Sequence, residues 1–155
     1  MPRSVAKTSK PTFLIDTDII LDVVMARQPW ASDAAMLLDV IARGGATGYV
    51  ASHSITTIAY VVQKSAGRVA AATAIADVLD ILDVVSLDAG DFHRALVIGL
   101  NDCEDAVQLA AALKVGATAV ITRNSKDYAG GPARCLSAGE AVALVGGTEK
   151  TRRGK

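Results

Sequence analysis

Four acidic residues from separate parts of the chain carry the pattern most able to do chemistry. Asp16 ends the apolar run Phe13-Leu14-Ile15, Glu104-Asp105 open a segment of helical period, and Asp127 lies just past Ala117-Thr118-Ala119-Val120-Ile121-Thr122. Carboxylates gathered from such distances repel one another unless a cation or shared protons compensate, so their convergence would make a divalent-metal site. Oxygen donors suit Mg²⁺ or Mn²⁺, whereas His53 and His93 stand isolated and offer no zinc-type spacing. Each acid also has an ordinary structural use: Asp caps helices, acids in a first turn complement the helix dipole, and Asn and Asp favour turns such as Thr122-Arg123-Asn124-Ser125-Lys126-Asp127. Those uses do not explain why a strand of Ala, Val and Ile delivers Thr122, Asn124 and Asp127 toward the edge where Asp16 is expected. Neighbours on a helix diverge by about 100°. Of Glu104 and Asp105, therefore, Asp105, beside the Ala106–Leu109 stripe, is better placed to look inward, with Glu104 at the rim.

Positioning these groups requires strands that end at one edge. Short runs rich in Val and Ile alternate with longer segments of helical period, the pattern of an α/β protein with a parallel sheet. Strands are predicted at Thr12–Ile15, Gly48–Ala51, Val84–Leu87, Ala117–Thr122 and near Ala133–Leu136. Helices are predicted at Ser32–Arg43, closed by Gly44-Gly45, and at Ile55–Lys64. Val69–Leu82 should bury a stripe of Val69, Ala72, Ile75, Ala76, Leu79 and Leu82. Asp102 caps Cys103–Leu113, whose stripe is Ala106, Leu109, Ala110 and Leu113, and Ser137-Ala138-Gly139-Glu140 reads as a capping box opening the last helix. In open parallel sheets ligands collect at the carboxyl ends of the strands, where Asp16 and the Thr122–Asp127 segment would sit.

The 155 residues, 51% of them hydrophobic, suffice for one domain with a real core. Acidic and basic residues balance at 16 each, which excludes a bulk basic field for nucleic acid and leaves any such binding to local patches. Aromatic residues make up only 4%, too few for recognition to rest mainly on base stacking. Cys103 and Cys135 form no framework and are expected as reduced thiols of a cytoplasmic protein without a membrane span. Residues 1–11 and 148–155 are polar and basic and are expected to be flexible tails around a folded unit at 12–147.

Three segments, in order, resemble the PIN domains, and among them the small bacterial PIN proteins related to VapC-type toxins. Ile15-Asp16-Thr17-Asp18-Ile19-Ile20-Leu21-Asp22 looks like the family's opening motif, with Asp18 where many relatives carry Asn. Asn101-Asp102-Cys103-Glu104-Asp105-Ala106-Val107-Gln108 is similar to its central acidic helix start, and Ile121-Thr122-Arg123-Asn124-Ser125-Lys126-Asp127-Tyr128 to its closing motif. The resemblance covers roughly residues 12–140. It implies a three-layer fold with a parallel sheet of four to five strands between helices, and cleavage of single-stranded RNA by water activated on Mg²⁺ or Mn²⁺. It further implies Asp16, Asp105 and Asp127 as catalytic metal ligands, with Asp18, Glu104, Thr122 and Asn124 around them, and a homodimer with a small antitoxin partner. Many relatives carry Glu where this chain has Thr57, which can hold a water but adds no charge. That departure keeps open a catalytically weakened RNA- or partner-binding module. Arg123 and Lys126 flank the pocket and are expected on substrate phosphate. Apolar Trp30, Met36 and Leu37 are the residues expected at a dimer contact. Asp16-Thr17-Asp18 also looks like the nucleophile motif of haloacid-dehalogenase phosphatases, but there the Thr or Ser and Lys precede the later acidic pair, the reverse of Glu104-Asp105 before Thr122 and Lys126.

Overall fold

The computed structural model describes the backbone of residues 10–154, with side chains for all of these except 148–152. Its elements run β1 (Thr12–Ile15), α1 (Thr17–Val24), α2 (Ala31–Ala42), β2 (Thr47–Ala51), α3 (Ser52–Ala66), α4 (Arg68–Ile81), β3 (Asp83–Val85), α5 (Ala89–Ile98), α6 (Cys103–Lys114), β4 (Ala119–Ile121), a 3₁₀ turn (Ser125–Tyr128), β5 (Cys135–Leu136) and α7 (Ala138–Arg153). The five strands pair in parallel in the order β3-β2-β1-β4-β5. Phe13 and Ile15 join one buried cluster with Val50 and Ile121, while Leu14 joins another with Ala51, Val85 and Val120. Alternate side chains thus leave the sheet on opposite faces, and both faces are covered, as a parallel sheet requires. Helices α1, α2, α3, α4 and α7 cover the first face, and α6 the second, with α5 packed outside it.

The chain leaves β1 for β2 and β3 on one side, then returns to β4 and β5 on the other. The order therefore reverses between β1 and β4, and the crevice beyond their carboxyl ends is the place where such sheets bind ligands. Phe13 pairs with Ala119 and Ile15 with Ile121, so both strands end at one level, and the Asp16 N–H donates to the Ile121 carbonyl at 2.9 Å.

Several elements depart from the sequence-based expectation. Helix α1, which the sequence reading leaves inside the opening motif, begins directly after Asp16; α5 was not expected at all, although Asp88 and Asp91 form a reciprocal capping box at its start. Lys114 of α6 ties that box down, 2.7 Å from Asp91 Oδ2 and from the Ser86 carbonyl. The expected stripe of α4 is rotated: Val69 and Leu79 are exposed, and Ala71, Ala74 and Val78 are buried instead. Helix α6 buries every residue from Ala106 to Ala112, being enclosed between the sheet and α5, and only Leu113 of its expected stripe is exposed. The expected capping box at Ser137 is present, with Ser137 N–H to Glu140 Oε1 at 3.0 Å and Glu140 N–H to Ser137 Oγ at 3.1 Å. Helix α7 then continues to Arg153, beyond the boundary expected at 147. Of the expected basic tail at 1–11, residues 1–9 lie outside the described residues, and Pro11 already accepts a 2.9 Å hydrogen bond from the Thr47 N–H. Among the described residues no helix is long and apolar enough to cross a membrane.

Candidate functional site

Asp16 occupies the N-cap of α1 yet makes no side-chain cap bond. An Asp at an N-cap ordinarily turns onto the free amides of the first turn. Here the carboxylate turns into the crevice, where Oδ2 accepts hydrogen bonds from Thr122 Oγ1 at 2.8 Å and Tyr128 Oη at 3.3 Å, and Oδ1 lies 3.5 Å from Gln108 Nε2. Only 8% of the residue is exposed. Burial raises its pKa above the ordinary range; the Thr122 hydroxyl draws it back and the Asp18 charge adds to the rise.

Beneath Asp16 lies an uncharged network from three helices. Gln108 Nε2 of α6 is 3.0 Å from Ser54 Oγ of α3 and 3.3 Å from Thr17 Oγ1 of α1, and Thr17 donates to Ser54 at 2.8 Å. All three residues are buried. Gln108 sits one turn beyond Glu104 on the same helix face, so the sequence that brings the acids to the crevice also brings this amide under it.

Asp102 caps α6 as expected, accepting from the Glu104 and Asp105 N–H groups at 2.8 and 3.1 Å. That leaves the Asp105 carboxyl free to face the crevice. Its pKa is pushed up to about 6, first by burial and then by the negative charges of Asp102, Asp16 and Asp127, with a Tyr128 hydrogen bond opposing. The three carboxylates singled out in the sequence therefore share one field. Asp105 and Asp127 border a cleft of about 290 Å³, with Asn101, Asp102 and Lys126 completing its polar lining. The Tyr128 phenol is held neutral far above its usual range by burial and by Asp16 and Asp105. Among the described residues, no three acidic, imidazole or thiol groups are drawn tightly enough together to hold one ion as they stand. The donor chemistry is nonetheless that of a hard cation: carboxylate oxygens in mutual repulsion, with hydroxyls beside them.

Other expected positions fall as follows. Thr122 bonds Asp16 and accepts the Asn124 N–H at 3.1 Å, while the Asn124 side chain is exposed at the start of the 3₁₀ turn. Asp18 lies 3.8 Å from Arg27. Glu104 is at the rim, 3.8 Å from His53. Thr57 turns its hydroxyl to the His53 carbonyl of its own helix at 3.3 Å, so Ser54 is the α3 hydroxyl that reaches the network around Asp16. Arg123, expected on phosphate, is instead engaged: its Nε is 3.0 Å from Asp22 Oδ2, and its guanidinium lies over the Trp30 ring at 4.0 Å. Leu37, expected at a dimer surface, is fully buried.

Sequence reasoning set His53 aside as isolated and gave no role to Ser54, Gln108 or Tyr128. A polar Gln inside the apolar stripe of α6 was the available signal for one of them. His53 has neither ring nitrogen hydrogen-bonded, and burial lowers its pKa while Glu104 raises it.

A PIN-domain family model matches residues 12–126. The chain belongs to the PIN-domain family. The match covers all three acidic segments except Asp127 and Tyr128, which end the closing motif. No protein of curated function matches the sequence. Among solved structures, VapBC2 from Rickettsia felis, bound to a DNA fragment from its promoter, is similar with a TM-score of 0.65 at 15% identity, over 81% of this chain and 98% of that one. VapC20 from Mycobacterium tuberculosis, a sarcin-ricin loop cleaving toxin, is similar with a TM-score of 0.61 at 18% identity, over 77% of this chain and 95% of that one. At these identities the likeness is one of fold: this is the PIN architecture, with its acidic crevice between β1 and β4.

Proposed function

We propose that this PIN-domain protein is a divalent-metal-dependent endoribonuclease that hydrolyses phosphodiester bonds of single-stranded RNA. The observation that carries the reading is the convergence of Asp16, Asp105 and Asp127 at the reversal point of the sheet, where burial first, and then the charges of Asp102, Asp16 and Asp127, push Asp105 up to about 6. These three would hold Mg²⁺ or Mn²⁺. When bound, such an ion acidifies water and neutralises charge building on the phosphoryl oxygens. The chain's own work is to keep Asp16 fixed through Thr122, Tyr128 and Gln108, and to bring Asp105 and the exposed Asp127 in against it. Lys126, on the wall of the cleft, supplies a cation for substrate phosphate, and Arg123, already paired, does not.

RNA as substrate is supported by family membership and by the likeness to VapC20, a sarcin-ricin loop cleaving toxin, and the cytoplasm is the matching compartment. We extend the reading to a homodimer and a small antitoxin partner, the latter supported by the likeness to a VapBC2 complex. An apolar groove of about 760 Å³ between α1, α3 and α4, with Ile20, Val23, Val62 and Val78 in its lining, offers such a partner an apolar seat. A second reading, a weakened RNA- or partner-binding module, is favoured by one observation: α3 contributes no carboxylate, and Thr57 is bonded within its own helix.

The test is cleavage of a mixed single-stranded RNA pool with Mn²⁺, with chelator, and by Asp16→Asn. Cleavage should need the metal and fall by at least a hundredfold in the variant. Cleavage indifferent to chelator and to the substitution refutes the metal mechanism. RNA binding without cleavage at any Mn²⁺ concentration selects the second reading.

A further inference from the structure

The pairing of Arg123 changes what Trp30 is for. Asp22 is completely buried, and Arg123 reaches it at 3.0 Å with its side chain only 21% exposed. The contact is ionic, without hydrogen-bond geometry, and leaving the buried Asp22 charge unpaired would be costly; the guanidinium carbon sits over the indole, 4.0 Å from the ring centroid. One face of Trp30 is thereby occupied, while 45% of the residue remains open to solvent. A planar cation behind an indole fixes the ring and adds positive potential to a region otherwise dominated by carboxylates.

Location gives this pair its meaning. Arg123 directly follows Thr122, whose hydroxyl holds Asp16 at 2.8 Å, and consecutive Cα atoms are about 3.8 Å apart. The indole is therefore held by the residue that follows Thr122, just past the carboxyl end of β4. The other cation–aromatic pair described, Lys64 over Tyr60 at 5.8 Å, lies on the outer face of α3 and has no bond to the Asp16 network.

We infer that Trp30, backed by Arg123, is a stacking platform for an unpaired nucleobase adjoining the phosphate at the Asp16 crevice. The identity of the ligand rests on the ribonuclease reading above. Every base has a π-face, so the platform selects unpaired over paired nucleic acid before it selects sequence. Phosphate on the same strand is then drawn to Lys126 while the base is held by the indole. A second copy of the chain is the competing occupant, since Met36 on α2 is also exposed.

Trp30 is the sole tryptophan of the chain, so its emission reports the platform directly. The wild-type protein, in chelator and at low salt, is titrated with a single-stranded ten-nucleotide RNA, the same RNA annealed to its complement, and an abasic oligonucleotide of equal length. Saturable quenching by the single strand alone is expected. By anisotropy of the labelled RNA, Trp30→Ala should bind roughly five- to hundredfold more weakly and Trp30→Phe should recover most of the loss. Equal quenching by duplex or abasic strand overturns the inference, as does unchanged binding by Trp30→Ala. Emission that follows protein concentration without RNA assigns the face to a second copy and overturns it too. If Trp30→Ala does not fold, wild-type emission and Trp30→Phe decide. Because no metal is present, absence of cleavage under Mn²⁺ would refute the nuclease and leave the stacking result standing. Retained cleavage by a Trp30→Ala protein of unchanged RNA affinity would refute stacking alone.

Discussion

Replacing Asp105 by Asn should make the metal-free protein more stable at neutral pH, although it removes a proposed metal ligand. The carboxyl titrates at about 6 in the folded chain against an ordinary 3.8. Between those values the folded state holds a proton that the unfolded state has lost, so stability falls as pH rises through the interval, and the penalty is complete above it. At about 1.4 kcal/mol per pH unit, the gap corresponds to roughly 3 kcal/mol for a fully desolvated group. Asp105 is only partly buried, and solvent screening reduces the figure to about 1 kcal/mol. Asn keeps the shape and carries no charge. Urea unfolding in chelator, followed by circular dichroism, should therefore show Asp105→Asn more stable than wild type by about 1 kcal/mol at pH 8, with the difference gone near pH 4. Saturating Mn²⁺ should reverse the order at pH 8, because only the wild type gains by binding. A variant less stable than wild type in chelator at pH 8, or a difference independent of pH, refutes the claim that burial and the neighbouring carboxylates disfavour the charged form of Asp105.

The same titration gives Mn²⁺ affinity a pH dependence: below pH 6 protons compete for Asp105, and calorimetric binding should weaken about tenfold per unit. Gln108→Leu, which removes the amide from Thr17, Ser54 and Asp16, should weaken Mn²⁺ binding about ten- to a hundredfold. Its cleavage rate should return at higher Mn²⁺, and loss that no metal concentration restores would show a different role. Arg123→Met leaves the buried Asp22 without its partner and should cost about 3 kcal/mol in urea unfolding, with much of it regained in the double variant with Asp22→Asn; additive losses would mean the pair does not interact. Gly48→Ala drives a methyl to 2.5 Å from Leu82 Cδ2 and 2.9 Å from Ile41 Cδ1, and should destabilise by about 1–3 kcal/mol; an unchanged melting temperature would contradict the packing described between β2, α2 and α4.

Strand positions and the acidic motifs were legible because they depend on local pattern: Phe13-Leu14-Ile15 is apolar on both faces as a central parallel strand must be, and Asp102 and Ser137 announce helix starts through capping chemistry. Helix α5 carried the same kind of signal in Asp88 and Asp91 and was overlooked. The face of α4 was illegible for a different reason. Val69 and Leu79 compete with Ala71, Ala74 and Val78 for the core, and which set wins is decided by the packing of α4 on α3 and α2, not by period. The crevice was half-readable in the same sense. Asp16, Asp105 and Asp127 stand out by type and place, but the network below them depends on where α1, α3 and α6 cross. Arg123 reads as a phosphate ligand until the fold supplies Asp22 and Trp30 as neighbours.

The two sides of the crevice differ in stiffness. Asp16 is clamped by a hydroxyl, a phenol that never ionises in the working range, and a buried amide, whereas Asp127 and Glu104 are exposed and far less tightly held. If the site holds a cation as proposed, a vice with one fixed and one sliding jaw would accept ions of somewhat different radius and release them without disturbing the frame. Mg²⁺ and Mn²⁺ should then differ more in how far the loose side travels than in where Asp16 sits.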